Sequence, residues 1–267
     1  MSLRCSSTTE AHRAEPSPKH LAPPGGRISA AVSALAAWSP GTGSCEEWQA
    51  WAREGRVGDA AAPVPQPQGV DAMLRRRLTP LARAALATLE DVLPTGSQAR
   101  LVFASRHGEL QRTLELLDAI AQDQALSPTT FSLSVHNALA GVWSIARQDR
   151  SSSMALAAGA QTFPWALVEA MAEVAAAPER ELVLLYADDV MPGPYQAFAD
   201  RPAPPLVLAL RLAAQGPLRL ETSWAEAAAE EGESAAWAFL RGWFGEGGSA
   251  SWAAPRRLWS WSKHAAA

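Results

Sequence analysis

Several groups of residues in this chain are of types that could do chemistry. Ser105-Arg-His107-Gly-Glu109 supplies a hydroxyl, an imidazole and a carboxylate within five residues, the parts of a nucleophilic triad. Two residues apart in a turn, the Ser105 and His107 side chains diverge, and no oxyanion element accompanies them. The same residues suit a backbone-ordering turn ahead of a helix, with Glu109 complementing the helix dipole. In Ser132-Leu-Ser134-Val-His136-Asn137, a helix would put Ser132 and His136 on one face. That cluster reads as a catalytic imidazole or as hydrogen bonding within a core or interface. Asp188-Asp189 follows a strand ending at Tyr186, where α/β enzymes hold a metal or a base, but no third ligand accompanies it. Cys45 falls in the first turn of a helix, which lowers a thiol pKa, yet no base lies near it in sequence. Phosphate loops, dinucleotide fingerprints and zinc spacings are absent.

The most informative stretch runs from Ser151 to Ala170. It reads as a small-residue strand that turns at Gly159 and enters an apolar helix. A strand-to-helix turn is a common mount for a nucleophile, because the helix N-terminus stabilises negative charge there. Here the turn carries no Cys, and no Ser after Ser153. The geometry of a nucleophile site is expected without the nucleophile.

The elements that must position these groups alternate. Arg27–Ala37 is an apolar strand, and Ser44 with Glu47 forms a capping box ahead of a short helix. Thr79-Pro80 opens a helix through about Val92, and Ala99–Ala104 is a buried strand. Leu110, Leu114, Leu117 and Ala121 recur at helical spacing, and Ser127-Pro128 caps a further helical segment containing Val135, Leu139 and Val142. Ser152–Ala158 is a strand, Phe163–Ala176 a helix, and Glu181–Tyr186 and Pro205–Leu212 are strands. Residues 223–244 read as helical, and Arg256–Lys263 as an edge strand. This alternation argues for an α/β sheet with helices on its faces.

Bulk properties narrow the function classes. The 267 residues are 48% hydrophobic, enough for a substantial core. A net charge of −4 gives no nucleic-acid footprint, and Arg75-Arg-Arg77, the densest basic run, suits a helix start better than a phosphate site. Cys5 and Cys45 match no metal spacing and imply no disulfide, so a reducing compartment is the default. No signal-peptide core appears, and no apolar run approaches the ~20 residues of a membrane span, so a cytoplasmic location is expected. Eleven Trp stand against two Tyr, and the five beyond residue 236 must pack on the body or on a partner. The expected organisation is a polar disordered tail at 1–26, a domain at 27–222, and a helical, Trp-rich extension at 223–267.

Several motifs, in their order and spacing, carry a family resemblance. They are Trp38-Ser-Pro-Gly41 with Trp48 to Trp51, Arg75-Arg-Arg-Leu78 with Leu81-Ala-Arg83, and Phe103-Ala-Ser-Arg-His-Gly-Glu109. Leu126-Ser-Pro-Thr-Thr-Phe-Ser-Leu-Ser-Val-His-Asn137, Ser152–Phe163 and Leu182–Asp189 complete the set. Together, over roughly residues 27–212, they resemble the N-terminal half of β-ketoacyl-acyl-carrier-protein synthases of the thiolase fold. The closest likeness is to a truncated group associated with aryl-polyene-type biosynthesis. The resemblance implies a mixed, mostly parallel five-stranded sheet flanked by helices. It places the family's reactive Cys at Gly159, where no thioester can form, and the family's His pair in a C-terminal half that the chain is too short to hold. No metal or cofactor is implied.

In this family the strand before the nucleophile pairs with its counterpart across a dimer, and inactive chain-length factors pair with active synthases. The resemblance therefore implies a non-catalytic partner of a full-length synthase in polyene or fatty-acyl elongation. The interface would comprise Ser152, Ser153, Met154, Ala155, Leu156, Ala157, Ala158 and Phe163. Phe131, Ser134, His136, Asn137 and Gln161 would wall the acyl tunnel, with acyl carrier protein reached through the complex. Chain-length factors carry Gln at the Cys position, and Gln161 lies two residues beyond it. Two other readings stand beside this one: a serine hydrolase or acyltransferase using Ser105 or Ser134 with His107 or His136, and a solitary acyl-binding scaffold.

Overall fold

The computed structural model describes residues 25–199, 203–227 and 233–266. Most of the 1–26 tail, with Cys5, lies outside these residues. The chain opens with strand β1 (Gly26–Trp38) and helix α1 (Cys45–Glu54). The short helix α2 (Ala72–Arg75) and α3 (Pro80–Val92) lead to β2 (Arg100–Ala104). Helices α4 (Leu110–Ala121), α5 (Pro128–Ser132) and α6 (Ala138–Arg147) then precede β3 (Ser153–Leu156). After α7 (Thr162–Ala176) come β4 (Leu182–Asp188), β5 (Leu206–Ala213) and β6 (Leu218–Ala225). The final elements are α8 (Ala235–Phe244), β7 (Ser249–Ala254) and β8 (Arg257–Ala265).

Among the described residues the strands form one eight-stranded sheet in the order β3-β2-β4-β5-β1-β6-β8-β7. The expected five strands are joined by three more, and the sheet is mixed and mostly antiparallel. Only β2 with β3 and β2 with β4 pair in parallel among these strands. The reason lies in the connections. Parallel neighbours need a long crossover, which the α4–α6 and α7 segments supply. After β5 two links are short, 214–217 between β5 and β6 and Pro255-Arg256 between β7 and β8, where Arg256 has φ of 65°. The stretch expected to be helical at 223–244 is strand to Ala225 and helix only from Ala235. Strand β8 is not an edge, because β7 flanks it.

Strand β1 serves two parts of the sheet. Its second half, Ala31 to Trp38, pairs with β5, while its first half, Gly26 to Ala31, pairs with β6 on the other side. A register shift between Val32 and Ala34 lies just inside the half that pairs with β5. The β5–β6 link crosses β1 at Ala31, and a Cβ on Gly216 would come within 3.1 Å of the Ala31 Cβ. Bulges of this kind let a strand turn a sheet corner.

The residues of β2, β4 and β5 alternate between two cores. Val102, Leu184, Tyr186 and Leu208 face α7, whereas Phe103, Val183, Leu185 and Val207 face α3 and α6. Both faces of these strands are therefore covered. Helix α7 is buried nearly all round, at Phe163, Ala166, Leu167, Ala170, Met171 and Val174. The sheet lies on one side of it, and Trp259, Trp261 and Phe239 close the other. The late tryptophans thus pack on the chain's own body: Trp259 is fully buried, and Trp237 lies 5.2 Å from Trp51. The Trp48 indole donates to the Ala37 carbonyl at 2.9 Å and fastens α1 to β1. Arg100 reaches across to α7, pairing with Glu173 at 3.1 Å.

Helix α4 differs from the other long helices, since none of its residues is buried and Leu117 and Ile120 lie open. We therefore expect Leu167→Ala to cost the isolated chain about 2–5 kcal/mol. Leu117→Ala, at an exposed site, should cost no more than about 0.5 kcal/mol. Denaturant melts of the two variants check this contrast.

Candidate functional site

The strand-to-helix turn is formed as its small residues dictate. Strand β3 pairs with β2 on one side only and is exposed at Ser153, Met154 and Ala155. The Ser152 and Leu156 carbonyls accept from Leu101 and Ser105, so in a parallel ladder Ser153 and Ala155 turn their backbone groups to the open edge. The chain then turns at Gly159, with φ of 58°, a value natural to glycine. A Cβ there would meet no atom within 4 Å, so the turn has room for a side chain but carries none. Its nearest hydroxyl is occupied: Thr162 Oγ1 accepts from the Ala158 N–H at 2.9 Å and donates to the Gly159 carbonyl at 2.7 Å. This arrangement can present a helix N-terminus and an open strand, but it cannot form an acyl bond at residues 157–160, which are Ala, Ala, Gly and Ala.

Two residues placed near this turn by sequence face inward instead. Phe163 is 1% exposed and packs against Tyr186, Phe239 and Trp261, so its side chain belongs to the chain's own core and not to a docking face. Gln161 aims its carbonyl at the C-terminal hairpin, where Oε1 accepts from Arg257 Nη1 at 3.0 Å and Trp259 Nε1 at 3.1 Å. Neither partner was visible in sequence, because no local spacing connects residues so far apart.

The Ser105 turn is a structural knot. Ser105 is fully buried, and its hydroxyl donates to Asp188 Oδ1 at 2.8 Å while accepting the Gly108 N–H at 2.8 Å. Asp188 also accepts from the Arg106 N–H at 2.8 Å and the Tyr186 hydroxyl at 2.6 Å. Burial pushes the Asp188 carboxyl above the ordinary aspartate range, opposed by those bonds from Tyr186, Ser105 and Arg106. Burial likewise raises Asp189. Asp188 thus ties the ends of β2 and β4 together, a role its neighbourhood with Asp189 did not reveal. Among the described residues no group of three or more His, Cys, Asp or Glu is gathered as a metal site would need.

The second cluster does not lie on one helix, because α5 ends at Ser132 and α6 begins only at Ala138. The shared face of Ser132 and His136 is therefore lost. Ser134 donates to the Phe131 carbonyl at 2.8 Å, and His136 Nε2 meets the Ser105 carbonyl, not its hydroxyl, at 2.8 Å. Asn137 sits exposed before α6 without capping it through its side chain. Phe131 of α5 is 63% exposed, and Val135 on the loop that follows is open. Glu109, which burial raises against the pull of Arg112, pairs with that guanidinium at 3.3 Å. The sole described cysteine, Cys45, is exposed and free.

The curled sheet around a buried helix, with an empty strand-to-helix turn, is the thiolase-like ketosynthase fold. A model of the β-ketoacyl synthase N-terminal domain matches residues 48–262, and the chain belongs to this family. The match takes in the Trp-rich C-terminal stretch that the sequence motifs left out. Among solved structures, the ketosynthase ApeO in complex with its chain length factor ApeC, from Xenorhabdus doucetiae, contains a chain 27% identical to this one. The alignment covers 88% of this chain and 99% of that one, with a TM-score of 0.77. The ishigamide ketosynthase/chain length factor aligns over 73% of this chain and 67% of its own, at 18% identity and a TM-score of 0.52. A β-ketoacyl synthase from Burkholderia phymatum covers 77% and 66%, at 11% identity and 0.55. These last two likenesses concern the fold alone. No curated protein matches the chain.

The raised Asp188 carboxyl makes stability depend on pH. A native value above the unfolded one means its contribution is complete below the ordinary aspartate range and is lost as pH rises through the native value. Asp188→Asn cannot ionise. Wild type should therefore lose stability relative to this variant as pH rises above the ordinary aspartate range, checked by paired denaturant melts. A serine-directed fluorophosphonate should leave the chain unlabelled, as Ser105 is buried and its proton is held by Asp188.

Proposed function

We propose that this chain is a non-catalytic, chain-length-factor-like partner of a full-length β-ketoacyl synthase. One observation carries the reading: the strand, turn and helix are all formed, yet residues 157–160 of the turn are Ala, Ala, Gly and Ala, and the strand's outer edge is open. The likeness to a chain in a ketosynthase–chain length factor complex, over 99% of that chain, supports it. The active synthase supplies the thiol chemistry, and this chain supplies a surface.

The docking surface is β3, Ser152 to Ala158, whose small side chains admit close backbone approach. An unpaired edge strand is a template for another strand. Leu117, Ile120, Phe131, Val135 and Met154 are open apolar residues, which a partner would cover. Phe131 and the following loop to Asn137 border the acyl chain, which is a polyene or fatty-acyl chain delivered on acyl carrier protein. Gln161 contributes from beneath the turn by holding it. The complex works in the cytoplasm; among the described residues no helix is long and apolar enough to cross a membrane.

Co-expression with a neighbouring full-length ketosynthase should yield a 1:1 complex, read by size-exclusion chromatography with mass detection. A stable monomer that ignores the synthase overturns the reading. Ala155→Pro removes an outward-facing N–H without touching the β2 ladder, a place where a sheet tolerates proline. It should abolish the complex while changing the stability of the isolated chain by no more than about 1 kcal/mol.

A further inference from the structure

Strands β3 and β8 stand near opposite ends of the sheet, yet the turn after β3 touches β8 directly. The contact is made by one side chain. Gln161 Oε1 accepts from Arg257 Nη1 and from Trp259 Nε1, using both lone pairs of a single carbonyl. Arg257 is itself 8% exposed, and its guanidinium lies over Trp165 of α7 at 4.9 Å and over Trp259 at 5.5 Å. Trp165 and Trp259 meet edge to face at 5.0 Å. The guanidinium is thus clamped by rings from both elements that it bridges, and the amide it meets has a fixed partner.

What Gln161 holds is otherwise lightly held. Strand β3 has four residues, is paired on one side, and exposes Ser153, Met154 and Ala155. Ala158, Gly159 and Ala160 are exposed as well and have no side chain beyond a methyl. The Thr162 hydroxyl closes the turn on itself, but it bonds only within residues 158–162 and so cannot fix the turn relative to the rest of the sheet. The Gln161 amide makes that connection to the body of the protein.

We infer that Gln161, Arg257 and Trp259 are positioning residues that set the geometry of the exposed β3 edge from behind, so that partner docking depends on a contact no partner touches. The inference rests on the proposal that β3 is the docking strand. Its physical content is pre-organisation: an edge strand already held in its docking geometry loses less freedom when a partner strand joins it. The C-terminal hairpin, which lies far from β3 in sequence, thereby controls the interface.

The test uses the full chain, alone and with the full-length ketosynthase. Gln161→Ala removes the acceptor, and Gln161→Glu keeps an acceptor for both donors. Trp259→Phe keeps a ring and removes only the indole donor. In the isolated chain, amide hydrogen exchange across Ser153–Ala160 should quicken about tenfold in Gln161→Ala, with the core amides of β4 and β5 unchanged. Trp259→Phe should move it in the same direction, and Gln161→Glu should return it toward wild type. Affinity for the ketosynthase should fall about tenfold in Gln161→Ala and recover in Gln161→Glu. Unchanged exchange at Ser153–Ala160 overturns the inference, as does exchange that quickens equally in the core, which would mark a general loss of stability. Quickened exchange with wild-type affinity also overturns it. If wild type binds no ketosynthase, the functional proposal and the docking half of the inference both fail, while the exchange data still decide whether the contact orders the strand.

Discussion

The structure depends on covering one helix from two sides. Helix α7 is apolar around most of its circumference, so a single sheet face cannot satisfy it. Strands β2, β4 and β5 supply one cover, and the tryptophans of β8 with Phe239 of α8 supply the other. Both covers belong to one sheet, which must bend sharply to reach around the helix. The bend is made at β1, where the partner strand changes from β5 to β6 beside a bulge and where the crossing link passes close over Ala31 at Gly216. An extended β1, two strand sets and a Trp-rich end follow from that one requirement.

The same requirement explains why the turn before α7 survives without chemistry. The turn is the point at which the chain passes from the outermost strand into the most buried helix, so its shape is fixed by packing. Thr162 closes it locally, and Gln161 ties it to the far end of the sheet. A position that needs a positive φ and faces open space, as Gly159 does, can lose a side chain at no cost to packing. A turn without a reactive side chain and an intact architecture are therefore compatible. Asp188 plays a parallel part at the ends of β2 and β4, gathering three donors so that buried polar groups at the sheet's rim are satisfied.

Local signals in the sequence located most elements, since caps and apolar runs depend on neighbours. The Ser44–Glu47 capping box and the Thr79 cap with Pro80 stand where their residue types place them. The strand at Ala99–Ala104 and the helix after Gly159 are equally plain. What could not be read was pairing. Nothing local says that β5 and β6 flank opposite halves of β1, so the sheet's size and mostly antiparallel character stayed hidden. The helical reading across Ser132–His136 failed because apolar spacing at Val135, Leu139 and Val142 continues through a break that spacing cannot register. Phe163 looked like an interface residue from its place beside the turn, but the first turn of α7 points it into the core. Of the candidate site, the empty turn and the small-residue strand were legible, whereas Arg257 and Trp259 became its supports only through the curl of the sheet.

An open strand edge and exposed apolar side chains are ordinarily liabilities that a protein blunts with charges, prolines or a covering element. Here the edge of β3 carries neither charge nor proline from Ser153 to Ala160, and α4 and α5 leave Leu117, Ile120 and Phe131 in the open. The opposite end of the sheet is treated differently: β7 is backed by α8, whose Gly242 lies so close that a Cβ there would meet Ala250 at 2.5 Å. Both end strands are paired on one side only, but β7 packs against α8 while β3 exposes Ser153, Met154 and Ala155. At β3 the small side chains leave the outward N–H and C=O groups accessible, and such groups are the template on which a further strand can pair.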